Sequence, residues 1–312
     1  MKLGFAVKVL GEGGLPSHDT RRWQSGPHLQ HSLAALRAIL DYLERNDIRM
    51  YRMTASLAPY VTHPELTQFH GQVEACAEEL AAIGALARER DIRLSSHPGQ
   101  YVVLNSEVPD VQDAAIRDLE SQAQIMDAMG LGPEAVVVLH VGGGQGDALG
   151  RFEAGYAQLS DAARARLVIE NDDRTFSLRD VLGLHERTGA RVVWDILHHH
   201  CHDPDGIPDR EALELALATW PPGESPKIHY STPKTALEER KRRVGRRVVR
   251  DWVLPPLRAH ADLIDPIAFE QFLTDTAAGL EFDVMLEAKG KDLALLRLRD
   301  QLRRETAGHH RT

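Results

Sequence analysis

Six ionisable residues, His97, His140, Glu170, Asp195, His229 and Glu287, each fall at or near the end of a short, largely apolar run. Three carboxylates and three imidazoles make a donor set that suits divalent metal ions better than a covalent nucleophile. The densest stretch is RVVWDILHHHCHD, residues 191–203, where a β-branched run delivers Asp195 and histidines follow at 198, 199, 200 and 202. His198 lies three residues beyond Asp195, where a short loop would set its ring beside the carboxylate. Taken singly, any of these groups is more often a satisfied rim or core polar residue, and the histidine run is more simply a solvated loop. Convergence changes the balance, because buried carboxylates gathered without neutralisation are costly unless cations sit among them. A multi-metal centre is the economical reading.

The elements that would position these residues alternate along the chain. Strand-like runs occur at 3–9, 48–53, 92–97, 135–141, 166–170, 191–195, 226–230 and 283–287. Helical spacing of apolar residues appears at 29–45, 73–90, 110–130, 150–164, 177–189, 209–219 and 291–304. Eight strands alternating with helices predict an α/β fold, a single-domain (β/α)8 TIM barrel over 1–304 with a mobile tail, 305–312. Barrel enzymes build their sites at the C-terminal ends of the strands, where the six residues fall.

The 312 residues, 43% hydrophobic, suffice for one such barrel. Cys76 reads as a small core residue and Cys201 as a spectator among the histidines. Two cysteines make no disulfide framework, so a reducing, cytoplasmic setting is expected. Met1-Lys2 runs straight into a strand-like segment with no signal peptide, and no apolar stretch approaches a membrane span. A net charge of −9 argues weakly against nucleic acid as a partner, although local basic patches and bound cations set the field at a site. The tract GGGQGD after His140 lacks the Lys-Ser/Thr of a phosphate-binding loop, so no nucleotide cofactor is expected. Lys227 shares a strand face with His229. Beside divalent cations its ammonium must be deprotonated, turned away to a rim carboxylate, or modified to carry negative charge.

The segments HPGQYVVLNS (97–106), IENDDR (169–174), VVWDILHHH (192–200), SPKIHYSTPK (225–234), RAHADLID (258–265) and DVMLEAKGKDLALL (283–296) resemble the UV-damage endonucleases across nearly the whole chain. That resemblance implies a barrel like endonuclease IV that nicks damaged double-stranded DNA on the 5′ side of cyclobutane dimers and 6-4 photoproducts. The products would be a 3′-hydroxyl and a 5′-phosphate. It implies up to three divalent ions, often manganese, held by His97, His140, Glu170, Asp195, His198, His229, His260 and Glu287. Lys227 would be the lysine that the family can carry in carboxylated form, so that Glu170, Asp195, Lys227 and Glu287 carry the catalytic centre. Gln100 and Tyr101 match the residues that insert at the lesion.

The sequence also departs from the family. Phe5 stands where a tyrosine is common, and KVL (8–10) offers no asparagine, leaving Lys8 as a substitute contact. Phe5 keeps a ring for stacking but has no hydroxyl to donate. The basic stretch 234–251, with Arg242 and Arg246 among its candidate phosphate contacts, is longer than the family pattern and reads as an inserted helix. A monomer acting on nucleoid DNA is expected. The competing readings are a barrel sugar isomerase or epimerase, which would need a small closed pocket, and a DNA-binding barrel without activity.

Overall fold

Period-two alternation along short strands sorts every side chain to one of two sides. In chain order the strands are β1 (Leu3–Ala6), β2 (Met50–Met53), β3 (Arg93–Ser96), β4 (Val137–His140), β5 (Leu167–Glu170), β6 (Arg191–Val193), β7 (Lys227–Tyr230), β8 (Glu238–Val244), β9 (Arg247–Val253) and β10 (Asp283–Leu286). Phe5, Tyr51, Leu94, Leu139, Ile169, Val192, Ile228 and Val284 join the large core shared with the helices. The alternate residues Val138, Val168 and Val193 form a second, separate apolar cluster with Trp220. The same parity carries His140, Glu170, Asp195 and His229 to the inner side of the sheet. A barrel results because both faces are occupied, the outer by helices and the inner by its own side chains.

The computed structural model describes residues 1–308. Its eight-stranded parallel sheet runs β6-β5-β4-β3-β2-β1-β10-β7. The remaining seam, between β6 and β7, is closed by a parallel bridge from Asp195 to His229, whose backbone N–H donates to Trp194 O at 2.9 Å. The chain is therefore a TIM barrel, as its alternating pattern predicts. No described helix is long and apolar enough to cross a membrane.

Local chemistry explains the helices. Helix Leu29–Arg45 buries Leu29, Leu33, Leu36, Leu40 and Leu43 along one stripe. Helix Leu178–Thr188 opens on a Ser177–Asp180 capping box and stops at Gly189, which takes φ 75°. The single helices expected over 73–90 and 150–164 are each two pieces, Gln72–Ala75 with Ala77–Glu89 and Ala148–Ala157 with Asp161–Arg166. The second break is explained by Ser160, whose side chain caps a new helix by accepting from Ala163 N.

Two expectations fail. His198 is not in a loop: Asp195 caps a short helix, Ile196–Cys201, by accepting from His198 N at 2.8 Å. The basic stretch is not a helix but the antiparallel hairpin β8–β9, turning at Gly245 with φ 60°. Valines at 244, 248, 249 and 253 favour strand, and the glycine supplies the turn. The last helix, expected to end near 304, spans Lys291–Gly308; the rest of the predicted tail, 309–312, lies outside the described residues.

Candidate metal centre

Strand register assembles the site. His140 lies beside Glu170 across β4–β5, and Asp195 lies beside His229 across the closing seam. Glu170 is the hub. Its Oε2 is 3.0 Å from His97 Nε2 and 3.5 Å from His140 Nε2, and its Oε1 is 2.9 Å from His229 Nδ1 and 3.5 Å from His198 Nδ1. Glu287, at the end of β10, reaches His229 Nδ1 at 3.4 Å and His260 Nδ1 at 3.7 Å. Two triads converge closely enough to hold an ion each, His97–His140–Glu170 and Glu170–Asp195–His229, with Glu170 common to both.

The hydrogen bonding supports a metal reading. Asp195 is fully buried, yet its Oδ2 has no hydrogen-bond partner. His229 Nε2, His140 Nδ1 and Lys227 Nζ are likewise buried without partners. A buried polar atom left unsatisfied costs about 1–3 kcal/mol, more if charged. Four in one cluster are economical where the lone pairs of Asp195 and His229 face cations. Carboxylate oxygen with imidazole nitrogen is a donor set for divalent first-row ions.

Protonation follows from burial and crowding. Burial alone would raise Glu170, but His229 and His140 hold its carboxyl well below the usual range. Burial likewise opposes Glu287, and the Arg52 guanidinium and His229 outweigh it, keeping the group ionised. Asp195 is pushed upward by burial, with Glu170 and Glu287 adding repulsion and His198 opposing. Burial would lower His198, but Asp195, Glu170 and Glu287 raise it to about 9. His97 is lowered, chiefly by burial. Lys227 is driven well below the ordinary lysine range by burial, then by Arg93 and Arg52, so its amine is largely neutral.

Eight of the residues expected as ligands, His97, His140, Glu170, Asp195, His198, His229, His260 and Glu287, share this cluster. Of the other histidines in the 198–202 run, His199 bonds Ile207 O at 2.8 Å and His200 pairs with Asp209 at 2.9 Å. Phe5 does not reach the rim. It is fully buried with its ring 5.4 Å from Tyr51, because strand parity turns it toward the helices, so the expected base stacking is not available to it. Lys8 is exposed beyond β1, and Arg242 and Arg246 are exposed on the hairpin.

Two residues were missed in the sequence. Arg52, the penultimate residue of β2, pairs with Glu287 inside the cluster. Its signal was an arginine within the strand run MYRM (50–53), where an inward charge needs a partner. Asn171 is fully buried and clasps the Asp195 backbone, accepting from its N–H at 2.8 Å and donating to its C=O at 3.1 Å. Its own carbonyl holds His198 Nδ1 at 3.0 Å. A strand-end asparagine following Glu170 offered only a weak hint.

Above the cluster, Gln100 and Tyr101 form an exposed ridge between two clefts. One, about 450 Å3, adjoins His97, His140, Gln100 and Asp172; the other, about 670 Å3, lies beyond Tyr101 against Tyr60, His63 and Asp118. Tyr101 is 74% exposed. Its ring lies so close over Gly99 that a Cβ there would come within 2.6 Å of it.

A family model described as UV-endonuclease UvdE matches residues 28–308. The chain belongs to that family. It is 34% identical over 275 residues to a UV DNA damage endonuclease of Bacillus velezensis, covering 84% of this chain and 78% of that protein. A second UV DNA damage endonuclease, of Bacillus pumilus, is 34% identical over 262 residues, covering 82% of this chain and 76% of that one. The crystal structure of SacUVDE is similar at a TM-score of 0.82 and 29% identity, covering 98% of this UvdE-family chain and 99% of that chain. A D-psicose 3-epimerase is similar at 0.52 and 13% identity, covering 92% of this chain and 85% of that one, and shares the fold alone.

Proposed function

We propose that this protein is a UV DNA damage endonuclease that hydrolyses the phosphodiester on the 5′ side of cyclobutane dimers and 6-4 photoproducts. The products would be a 3′-hydroxyl and a 5′-phosphate. Membership of the UvdE family supports the substrate class. The observation that carries the chemistry is the buried, strand-registered cluster around Glu170 with Asp195 Oδ2 and His229 Nε2 unpartnered.

His97, His140, Glu170, Asp195, His198, His229, His260 and Glu287 would hold up to three divalent ions, with manganese the metal that the family resemblance implies. When bound, such ions supply an acidified water and neutralise charge on the transferring phosphoryl group. Glu170 offers one oxygen to each triad and so sets the spacing between them. Asn171 fixes the backbone that presents Asp195. Arg52 holds Glu287 in its ionised, ligating form.

Lys227 would serve as a carbamate, its neutral amine taking up carbon dioxide with release of a proton. Its burial, lack of a partner and neutral state support this. Protein grown with 13C-bicarbonate should show one carbamate carbon signal that disappears in Lys227→Met; a spectrum without it removes the modification.

The Gln100–Tyr101 ridge would fill the space left when a photoproduct leaves the stack. A dimer stacks and pairs poorly, so its extrusion costs less than that of normal bases. Lys8, Arg242 and Arg246 are candidate phosphate contacts, all exposed. A monomer in the cytoplasm would meet these needs. The deciding assay incubates the protein and manganese with an ultraviolet-irradiated, end-labelled duplex. Nicking of the irradiated duplex and not of an unirradiated control is expected. Binding without nicking would leave an inactive DNA-binding barrel, and the absence of both nicking and binding would favour sugar chemistry.

A further inference from the structure

The hairpin β8–β9 lies outside the metal cluster and adds almost nothing to the core. None of its side chains is buried, and Trp252 and Val248 are 70% and 64% exposed. From Glu238 to Val253 it holds seven basic and three acidic residues, a local charge of +4 in a chain of net −9. Two of the basic groups are committed, Arg242 to Asp251 and Arg250 to Glu239 at 3.1 Å. Lys241, Arg243, Arg246 and Arg247 make no ion pair among the described residues.

Register sharpens the picture. Glu239 faces Trp252, Lys241 faces Arg250 and Arg243 faces Val248. Alternate pairs share a face, so Lys241, Arg243 and Arg250 line one side together with the two exposed apolar groups. Directly opposed like charges destabilise a ribbon standing alone. On this face Glu239 answers Arg250 alone, which leaves the charges of Lys241 and Arg243 uncompensated on a solvent-facing ribbon and points to an anionic partner.

The ribbon is also tied to the cluster. Pro233 bridges His260, and Lys234 N–H donates to Ala259 O at 2.6 Å. His260 in turn stands 3.7 Å from Glu287. The base of the hairpin is therefore fixed to the rim from which the ligands project. Strands of seven residues extend about 23 Å at ~3.3 Å per residue, roughly seven base-pair steps. A two-stranded ribbon is slender enough to enter a major groove.

We infer that β8–β9 is a duplex clamp that lies along the DNA on one side of the nicked position, beyond the lesion. Lys241 and Arg243, with Arg246 in the turn that joins the strands, meet phosphates, and Trp252 and Val248 rest against sugar edges. This rests on the endonuclease reading. It adds to it a one-sided requirement for flanking duplex, set by an element apart from the metal centre.

The test uses metal-loaded protein and duplexes bearing one thymine dimer, with each flank shortened in turn from about 14 to about 4 base pairs, a span chosen to bracket the ribbon. For the wild type, trimming one flank and not the other should raise KM by about tenfold. In K241S/R243S/R246S, KM should already be raised on the long duplex and should no longer depend on that flank. The slope of log KM against log salt should fall by about 2–3, near 0.9 per phosphate lost. Trp252→Ser should reproduce the loss of flank dependence without the change in salt slope. These are solvent-facing positions, and circular dichroism should show the barrel unchanged. Equal flank dependence and equal salt slope in wild type and triple variant would overturn the clamp while leaving the endonuclease intact. So would a wild-type dimer that the variants convert to monomer, since the ribbon would then face a second copy of the chain. A wild type that nicks no damaged duplex would instead overturn the endonuclease reading, and the clamp with it.

Discussion

At the N-terminal mouth of the barrel, Arg93 meets Asp283 at 2.8 Å and Arg191 meets Glu224. Both guanidinium groups lie over the Trp220 ring, 5.7 and 4.9 Å from its centroid, and both donate to main-chain carbonyls. At the C-terminal mouth, Glu170, Asp195 and Glu287 crowd among histidines, with Arg52 as the ion-paired arginine and several polar atoms left without partners. Both ends bury charge. The floor pairs nearly all of it internally, with Arg93 Nη2 as a remainder, whereas the rim holds more lone pairs than its own protons can satisfy. Charge that is matched within the fold reads as structure. Charge that is left unmatched in a concave, strand-registered cluster reads as a site suited to cations.

The comparison can be broken most decisively at its hub. Glu170→Gln removes the negative charge and one carboxylate oxygen of the residue common to both triads and should lower nicking by at least ~10²–10³-fold, with loss of bound metal measured by elemental analysis. Thermal unfolding of the metal-free protein should change little or rise, because a crowded carboxylate has gone. Retained nicking would take Glu170 out of the centre. The floor should respond in the opposite sense. Arg191→Ala leaves Glu224 unpaired beneath the barrel and should cost about 3–5 kcal/mol in urea unfolding, with nicking per folded molecule preserved. Unchanged stability would mean that the floor pair is incidental.

A third contrast uses pH. His198 sits near 9 in the metal-free fold against an ordinary value of 6.5. Its protonated form therefore stabilises the metal-free protein fully below about pH 6.5, and that contribution fades as pH rises through about 9. A ligating imidazole must shed this proton, so apparent metal affinity should rise with pH over the same interval, with proton uptake by the buffer detectable calorimetrically. Metal affinity flat across that range would show that His198 is not a ligand. The smallest effect is expected at the ridge. Tyr101→Ala should leave stability within about 0.5 kcal/mol, since the ring is mostly exposed. It should reduce the preference for damaged over intact duplex about tenfold, the worth of one stacked base. Equal discrimination by both proteins would remove the probing role.

The barrel was legible because its signal is periodic: β-branched runs of four or five residues separated by helical stripes fix both element type and inward parity. The gathering of His97, His140, Glu170, Asp195, His229 and Glu287 was legible for the same reason, since a polar residue closing an inward-facing strand must arrive at the rim, whereas His260 was placed by resemblance to the family. Where local chemistry was ambiguous the reading failed. The stretch 234–251 carries a charge pattern compatible with a helix face, and only pairing of Glu238–Val244 with Arg247–Val253 made it a ribbon. Phe5 was placed by resemblance to the family rather than by parity, and parity decided its position. Arg52 and Asn171 were passed over because their partners, Glu287 and Asp195, lie far away in sequence.

The amino-acid order by itself determined which acids and imidazoles close the strands and which way each faces, because these follow from a repeat of two. Tertiary structure alone decided that Glu170 is the residue common to both triads, that burial drives the Lys227 amine well below the ordinary lysine range and that the basic stretch stands out as a ribbon. Those outcomes depend on register across a closed seam and on burial by distant segments, quantities that no local window of sequence contains.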